Sequence, residues 1–108
     1  MPDLIALDGL IVGAEGAELL RVRTGTIAID PPSIATVSRG AATATLTGVK
    51  AGDIIVLQPP AALNDDLVFC GADVTADDTV TAYLYNPTGG SIDDSSRSWR
   101  YLWLDLTR

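Results

Sequence analysis

Glycines and prolines divide this chain into segments that are too short for long helices. The 108 residues include 10 glycines and 6 prolines, which cluster in turn-like stretches such as residues 30–32 and 86–90. Proline has no backbone N–H to donate and glycine loses much conformational freedom in regular structure, so such clusters end strands and helices. The intervening segments are rich in Thr, Val and Ile, which favour strands. We therefore expect an all-β fold.

Alternation of residue type predicts the clearest strands. Between residues 79 and 85, Val80, Ala82 and Leu84 occupy alternate positions, with threonines and tyrosines between them. Between residues 99 and 106, aromatic residues alternate with leucines. Successive side chains of a strand point to opposite faces, so each segment presents two distinct faces. Several short strands separated by turns predict an antiparallel β-sandwich or a barrel in one domain.

Other segments give strand predictions with different face patterns. The continuous apolar runs at residues 54–57 and 67–70 predict strands that are covered on both faces. Residues 17–23 and 26–29 predict two further short strands. In the first of these, Leu20 and Val22 would point to one side, and Arg21 and Arg23 to the other.

Composition excludes several classes of function. The chain has no His, which removes the commonest general base and the commonest zinc ligand. A single Cys rules out an intrachain disulfide. The net charge of −7 opposes binding to nucleic acid and to anionic membranes. The first residues lack the basic region of a signal peptide and no apolar run is long enough to span a membrane, so we expect synthesis in a cytosol.

The candidate chemical sites are weak. Acidic doublets occur at residues 65–66, 77–78 and 93–94, where turns are expected. None has the spacing of a calcium-binding loop. Solvated turns are therefore favoured over a metal site. Cys70 lies in an apolar run and is expected to be a buried small hydrophobe. Trp99 and Trp103 could stack on a sugar ring, but packing is the commoner role for tryptophan in a strand. We expect no catalytic, metal or cofactor site and no enzymatic activity.

Two strand faces in the second half of the chain would be exposed to solvent unless another segment or another subunit packs against them. The leucine face of the last strand is apolar, and the Thr/Tyr face of residues 79–85 is large and semi-polar. Uncovered apolar faces are typical of interfaces, so we expect a homo-oligomer, although a long loop or the N-terminal residues folding over these faces is an alternative. The residues predicted to contact another subunit or a capsid are Leu4, Ile5, Leu7, Tyr83, Tyr85, Leu102 and Leu104.

An ordered series of segments carries a family resemblance. The series comprises residues 29–35, a Thr-rich strand, residues 49–53, an apolar strand, and residues 58–63, 74–81, 86–93 and 98–100. It resembles a β-sandwich module of tailed-phage structural proteins, namely capsid decoration (cement), head-spike and fibre proteins, over about residues 24–106. The resemblance implies a jelly-roll-like sandwich over residues 24–108, often trimeric. Residues 1–23 have no counterpart and are expected to form an N-terminal arm or the first strands.

The resemblance also implies a function. We expect a capsid decoration protein, synthesised in the host cytoplasm and located on the virion, whose partners are its own copies in a homotrimer and the major capsid protein. The alternative is a tail or head-fibre receptor-binding module that binds carbohydrate through exposed Tyr or Trp. A minor hydrolase is a third hypothesis, which would need a carboxylate pair in one cleft.

Overall fold

The computed structural model describes residues 19–106, although the side chains of residues 19, 20 and 106 are not included in this description. This part of the chain contains six strands and no helix: β1 (Leu19–Ile29), β2 (Ser38–Thr45), β3 (Ile54–Gln58), β4 (Val68–Ala76), β5 (Thr79–Asn86) and β6 (Arg97–Leu106). Accordingly, no helix among these residues has the length and apolar character needed to cross a bilayer. The expectation of an all-β fold is confirmed.

The six strands form two antiparallel sheets of three strands each. Sheet 1 has the order β1-β6-β3, and sheet 2 has the order β2-β5-β4. The two central strands, β6 and β5, are the two segments in which the alternation of residue type is clearest. The sheets lie against each other, with β1 next to β2 and β3 next to β4. This two-layer arrangement is compatible with the expected antiparallel sandwich.

The core lies between the two sheets. Val80, Ala82 and Leu84 of β5 have no exposed surface, and Trp99 and Trp103 of β6 are 0% and 1% exposed. The rings of Phe69 and Trp99 meet edge to face across the layers, with their centroids 5.3 Å apart. The alternation therefore separated the two faces of both central strands correctly, and the structure shows which face of each strand meets the other sheet.

The first strand differs from the prediction. β1 is one continuous strand from Leu19 to Ile29, and it crosses the expected arm boundary between residues 23 and 24. Its register with β6 is unbroken from Arg21 to Ile29. Ile27 and Ile29 are buried, so the alternation places Arg21 and Arg23 on this inward face and Val22 on the outward face.

The inward arginines at the start of β1 are accommodated by specific contacts. Arg21 forms an ion pair with Asp105 of β6, with 2.9 Å between Nη2 and Oδ2. The guanidinium of Arg23 lies over the ring of Trp103, 5.1 Å from its centroid, an arrangement that attracts a cation to the face of an aromatic ring. These contacts explain how a strand can turn its arginines towards the interior side of the sheet.

Two predictions about apolar runs are corrected. Ile55 and Leu57 are buried, but Ile54 and Val56 are 47% and 53% exposed, so the described part of the chain covers β3 on one face only. Cys70, expected to be buried, is exposed. A bulge between Phe69 and Gly71 shifts the pairing of β4 with β5 at this point, and such a bulge changes the direction of the neighbouring side chains.

Candidate functional site

Two neighbouring rows of side chains on the outward side of sheet 1 form an apolar surface. Each row runs across the three strands at one register position: Leu104 lies between Val22 and Ile54, and in the next row Leu102 lies between Thr24 and Val56. Leu102 and Leu104 are half-buried, whereas Val22, Ile54 and Val56 are about half exposed (48%, 47% and 53%). We call this side of the sheet the outer face of sheet 1.

The third row of this outer face is polar. Arg100 of β6 lies between Thr26 of β1 and Gln58 of β3. A shallow depression of about 370 Å³ spans the second and third rows, and its lining includes Thr24, Thr26, Val56, Gln58, Arg100 and Leu102. Among the described side chains of the outer face of sheet 1, Arg100 is the only charged one and none is acidic. In a chain of net charge −7, this face is therefore suited to an apolar partner that carries negative charge.

The outward side of sheet 2 has a different character. Tyr83 and Tyr85 both lie there and are half-buried. Tyr83 is flanked in register by Ala41 of β2 and Gly71 of β4, and Arg39 lies over its ring, 4.6 Å from the centroid. Because Ala41 and Gly71 are small, the ring of Tyr83 contacts the Arg39 guanidinium and stays partly accessible to solvent. We call this side the outer face of sheet 2.

The predicted contact residues thus fall on separate surfaces. Leu102 and Leu104 lie on the outer face of sheet 1, and Tyr83 and Tyr85 lie on the outer face of sheet 2, with the core between them. The remaining three predicted contacts, Leu4, Ile5 and Leu7, lie outside the described residues. Sequence reasoning missed Val22, Ile54, Val56 and Arg100 as members of the leucine surface. The signal that finds them is cross-strand register, which a single sequence does not display.

The tryptophans are part of the core. Trp99 and Trp103 are fully buried, so neither ring offers a face for stacking on a sugar. The indole Nε1 of Trp103 donates a hydrogen bond to Asp53 Oδ2, whereas Nε1 of Trp99 has no hydrogen-bond partner among residues 19–106. A carbohydrate-binding role therefore cannot use the tryptophans and would depend on Tyr83 and Tyr85.

Two of the acidic doublets are turn residues, as expected. Asp65 and Asp66 are exposed in a turn. Asp77 and Asp78 form the exposed turn between β4 and β5, and they accept hydrogen bonds from the backbone N–H groups of Ala51 and Gly48, respectively. These carboxylates hold the loop between β2 and β3 against the β4–β5 turn, which is a common use of Asp in loops.

The third doublet corrects the prediction of solvated turns. Asp93 is exposed, but Asp94 is only 8% exposed. Arg97 donates two hydrogen bonds to the Asp94 carboxylate, of 3.1 and 3.0 Å, and the backbone N–H of Asn64 donates a third. The hydrogen bond from Arg97 is the main reason that the pKa of Asp94 lies below its ordinary value, and burial opposes it. Asp94 is thus a structural ion-pair residue.

The described residues bring apolar side chains and one arginine together on the outer face of sheet 1. Among residues 19–106, no group of three or more potential metal-ligating side chains comes together. The most distinctive feature is the outer face of sheet 1, with two apolar rows and one cationic row. Comparison of the chain with known protein families, with curated proteins and with solved structures gives no match.

Proposed function

We propose that this chain is a structural protein of a phage particle, a capsid decoration protein that acts by adhesion. Its outer face of sheet 1 would contact other copies of the chain and the major capsid shell. The single observation that carries the proposal is the apolar character of this face, which includes the predicted contacts Leu102 and Leu104. The order of sequence segments that resembles phage β-sandwich modules supports the choice of a virion as the location.

The exposed apolar residues are concentrated and not scattered. Among the described side chains, five large hydrophobic residues are exposed, and three of them, Val22, Ile54 and Val56, are register neighbours of Leu102 or Leu104. Isolated exposed hydrophobic residues are normal on a protein surface, whereas a contiguous patch is typical of an interaction site. Removing such side chains from water contributes about 25 cal/mol for each Å² of apolar surface, and this gain is offset in part by the entropy cost of association.

Adhesion of this kind would strengthen a shell by mass action. A protein that binds only assembled capsomers shifts the equilibrium towards the assembled state. Many copies placed by the symmetry of the shell would add avidity, so each contact can be modest. The acidic loop residues, among them Asp65, Asp66 and Asp77, would face solvent and keep the particle soluble.

The winding of the strands supports a jelly-roll-like sandwich. Successive strands alternate between the sheets from β1 to β4, and β6 returns from sheet 2 to the centre of sheet 1. This order places sequence neighbours in opposite layers, as in the double-sheet winding of jelly rolls, here with three strands in each sheet. Such folds are found in capsid and lectin domains, so the winding agrees with both hypotheses on function.

Two measurements test the proposal. Light scattering on the purified full chain at micromolar concentration is expected to give a trimer, and a monomer would contradict the interface. Added to phage particles that lack the protein, the chain is expected to bind and to raise the temperature at which DNA is released. Saturating protein that leaves the release temperature unchanged would refute the decoration function even if the chain is a trimer.

A receptor-binding module remains the second candidate because of the outer face of sheet 2. Tyr83 and Tyr85 lie two positions apart on this face, beside the Arg39 guanidinium. Aromatic rings combined with a donor-rich side chain are suited to glycans. A glycan array separates the candidates: saturable binding that is lost in Tyr85→Ala and retained in Val56→Lys would favour this function.

A further inference from the structure

We propose that residues 1–18 of one copy bind to the outer face of sheet 1 of a neighbouring copy. The inference rests on the proposed function, because it assumes that copies of the chain associate. It goes further by naming the occupant of the surface: an exchanged N-terminal segment, and not a second sheet packed face to face.

The size of the two apolar rows argues against bare sheet-on-sheet association through them. They cross three strands spaced by about 4.8 Å and lie about 6.8 Å apart, so their flat footprint is only about 200 Å². A stable interface of standard size buries about 800 Å² on each partner. The two apolar rows are therefore too small to form a stable interface by themselves. A segment exchanged between copies adds contact area for every copy in the assembly.

The composition of residues 1–18 matches the chemistry of this surface. The segment is rich in large aliphatic residues, namely Leu4, Ile5, Leu7, Leu10, Ile11 and Val12. Its charged side chains are all acidic, namely Asp3, Asp8, Glu15 and Glu18. The surface provides apolar rows and one cation, Arg100, and no described carboxylate. Apolar residues flanked by aspartates, as in residues 3–8, thus complement leucine and valine rows that lie beside an arginine.

The position of Leu19 places the segment near the surface. Leu19 begins β1 opposite Leu106, next to the row that contains Val22, Leu104 and Ile54. Eighteen residues can span about 60 Å when extended, which is enough to reach an adjacent subunit. A segment that covered its own sheet would remove this face from contact with another copy, so the proposed association through the outer face of sheet 1 favours exchange.

Cysteine cross-linking of full-length variants tests the exchange. All variants carry Cys70→Ser, because the native thiol is exposed. One protein carries Ile5→Cys, the other carries Val56→Cys, and the two are mixed and oxidised. The matched control replaces Val56→Cys with Val68→Cys, since Val68 is 50% exposed, close to the 53% of Val56, but lies on sheet 2. A third protein carries both Ile5→Cys and Val56→Cys.

Each outcome decides the proposal. We expect several-fold more covalent dimer from the Ile5→Cys and Val56→Cys mixture than from the Val68→Cys control, with the joined peptides identified by mass spectrometry. An intrachain disulfide in the double variant, without dimers in the mixture, overturns the exchange. If the mixture does not cross-link above the control while light scattering still shows a trimer, the exchange fails and the proposed association stands. A monomer without cross-links overturns both.

Discussion

Trp103 and Asp53 form a buried hydrogen bond that ties the centre of sheet 1 to the loop before β3. The indole Nε1 donates to Asp53 Oδ2 over 3.0 Å, and the two residues are 1% and 4% exposed. The Asp53 carboxylate also accepts a hydrogen bond from the backbone N–H of Lys50 within the loop. A polar group at this depth is tolerated because it is paired.

Removal of the Asp53 carboxylate is therefore expected to destabilise the fold. Asp53→Ala leaves the Trp103 N–H buried without an acceptor, which costs about 1–3 kcal/mol of unfolding free energy. Asp53→Asn retains an oxygen acceptor, so its loss is expected to be smaller. Urea denaturation measures both, with Asp73→Ala, at an exposed position, as the control. Equal stability of Asp53→Ala and the parent protein would contradict the assigned role.

The Asp94–Arg97 pair predicts a specific loss of stability in acid. Because the hydrogen bond from Arg97 lowers the pKa of Asp94 below 3.8 in the folded state, the carboxylate stabilises the fold above the unfolded-state pKa, and this contribution is lost as pH falls through the folded pKa. Asp94→Asn is expected to be less stable than the parent at about pH 6, with a difference that shrinks as the pH falls below about 4. Urea unfolding across this range measures it, and Asp93→Asn, at the exposed neighbour, is the control.

Asn86 organises the turn after β5. This fully buried side chain donates from Nδ2 to the carbonyl oxygens of Ile34 and Gly90, and its Oδ1 accepts from the N–H of Thr88. Asn86→Ala should cost about 1–3 kcal/mol of unfolding free energy, because the hydrogen bonds of a fully buried side chain are lost and the Thr88 N–H loses its acceptor. Ser91→Ala, at an exposed position in the same connection, is expected to be neutral. Guanidinium denaturation compares the two, and similar midpoints would be inconsistent with this account.

Gly40 lies against a core side chain. A Cβ at this position would come within 2.7 Å of Ile34 Cγ1, and Ile34 is only 2% exposed. Gly40→Ala is expected to lower the unfolding free energy by about 1–3 kcal/mol, since a packed core resists overfilling. A Cβ at Gly89 meets no atom within 4 Å, so Gly89→Ala is the matched control. Thermal denaturation reports the difference, and a stabilised Gly40→Ala would show that the contact is not limiting.

A charge on the outer face of sheet 1 is expected to weaken association without unfolding the chain. Val56 and Val68 are similarly exposed, at 53% and 50%, and both lie on edge strands. Val56→Lys should raise the dissociation constant of the oligomer at least about tenfold, equivalent to about 1.4 kcal/mol. Val68→Lys should leave this constant unchanged. Sedimentation measures the association, and far-UV circular dichroism checks the fold. If Val68→Lys is the more disruptive variant, the contact surface is on sheet 2.

The difference between prediction and structure in β1 has a physical cause. Residues 17–23 taken alone place Val22 inside and the arginines outside, whereas residues 26–29 place Ile27 and Ile29 inside. These patterns are incompatible in one unbroken strand, because alternation has a period of two residues. The strand is unbroken from Arg21 to Ile29, and burial of both isoleucines outweighs that of one valine. Arg21 and Arg23 then find Asp105 and Trp103 as partners.

Local pattern sufficed to predict the all-β content, the end of β1 before Pro31, the irregular connection after Asn86 and the alternating faces of β5 and β6, because period-two alternation and backbone preference act over a few neighbouring residues. Strand register, the pairing of Asp94 with Arg97 and of Asp53 with Trp103, and the juxtaposition of Val22, Leu104 and Ile54 were decided by the tertiary structure. The rows and the Asp53–Trp103 hydrogen bond join residues that are distant in sequence. The Asp94–Arg97 pair spans only three residues, but it is partly buried where the loop before β6 meets the backbone of Asn64. Which side of each strand meets the second sheet is set by packing of the complete chain.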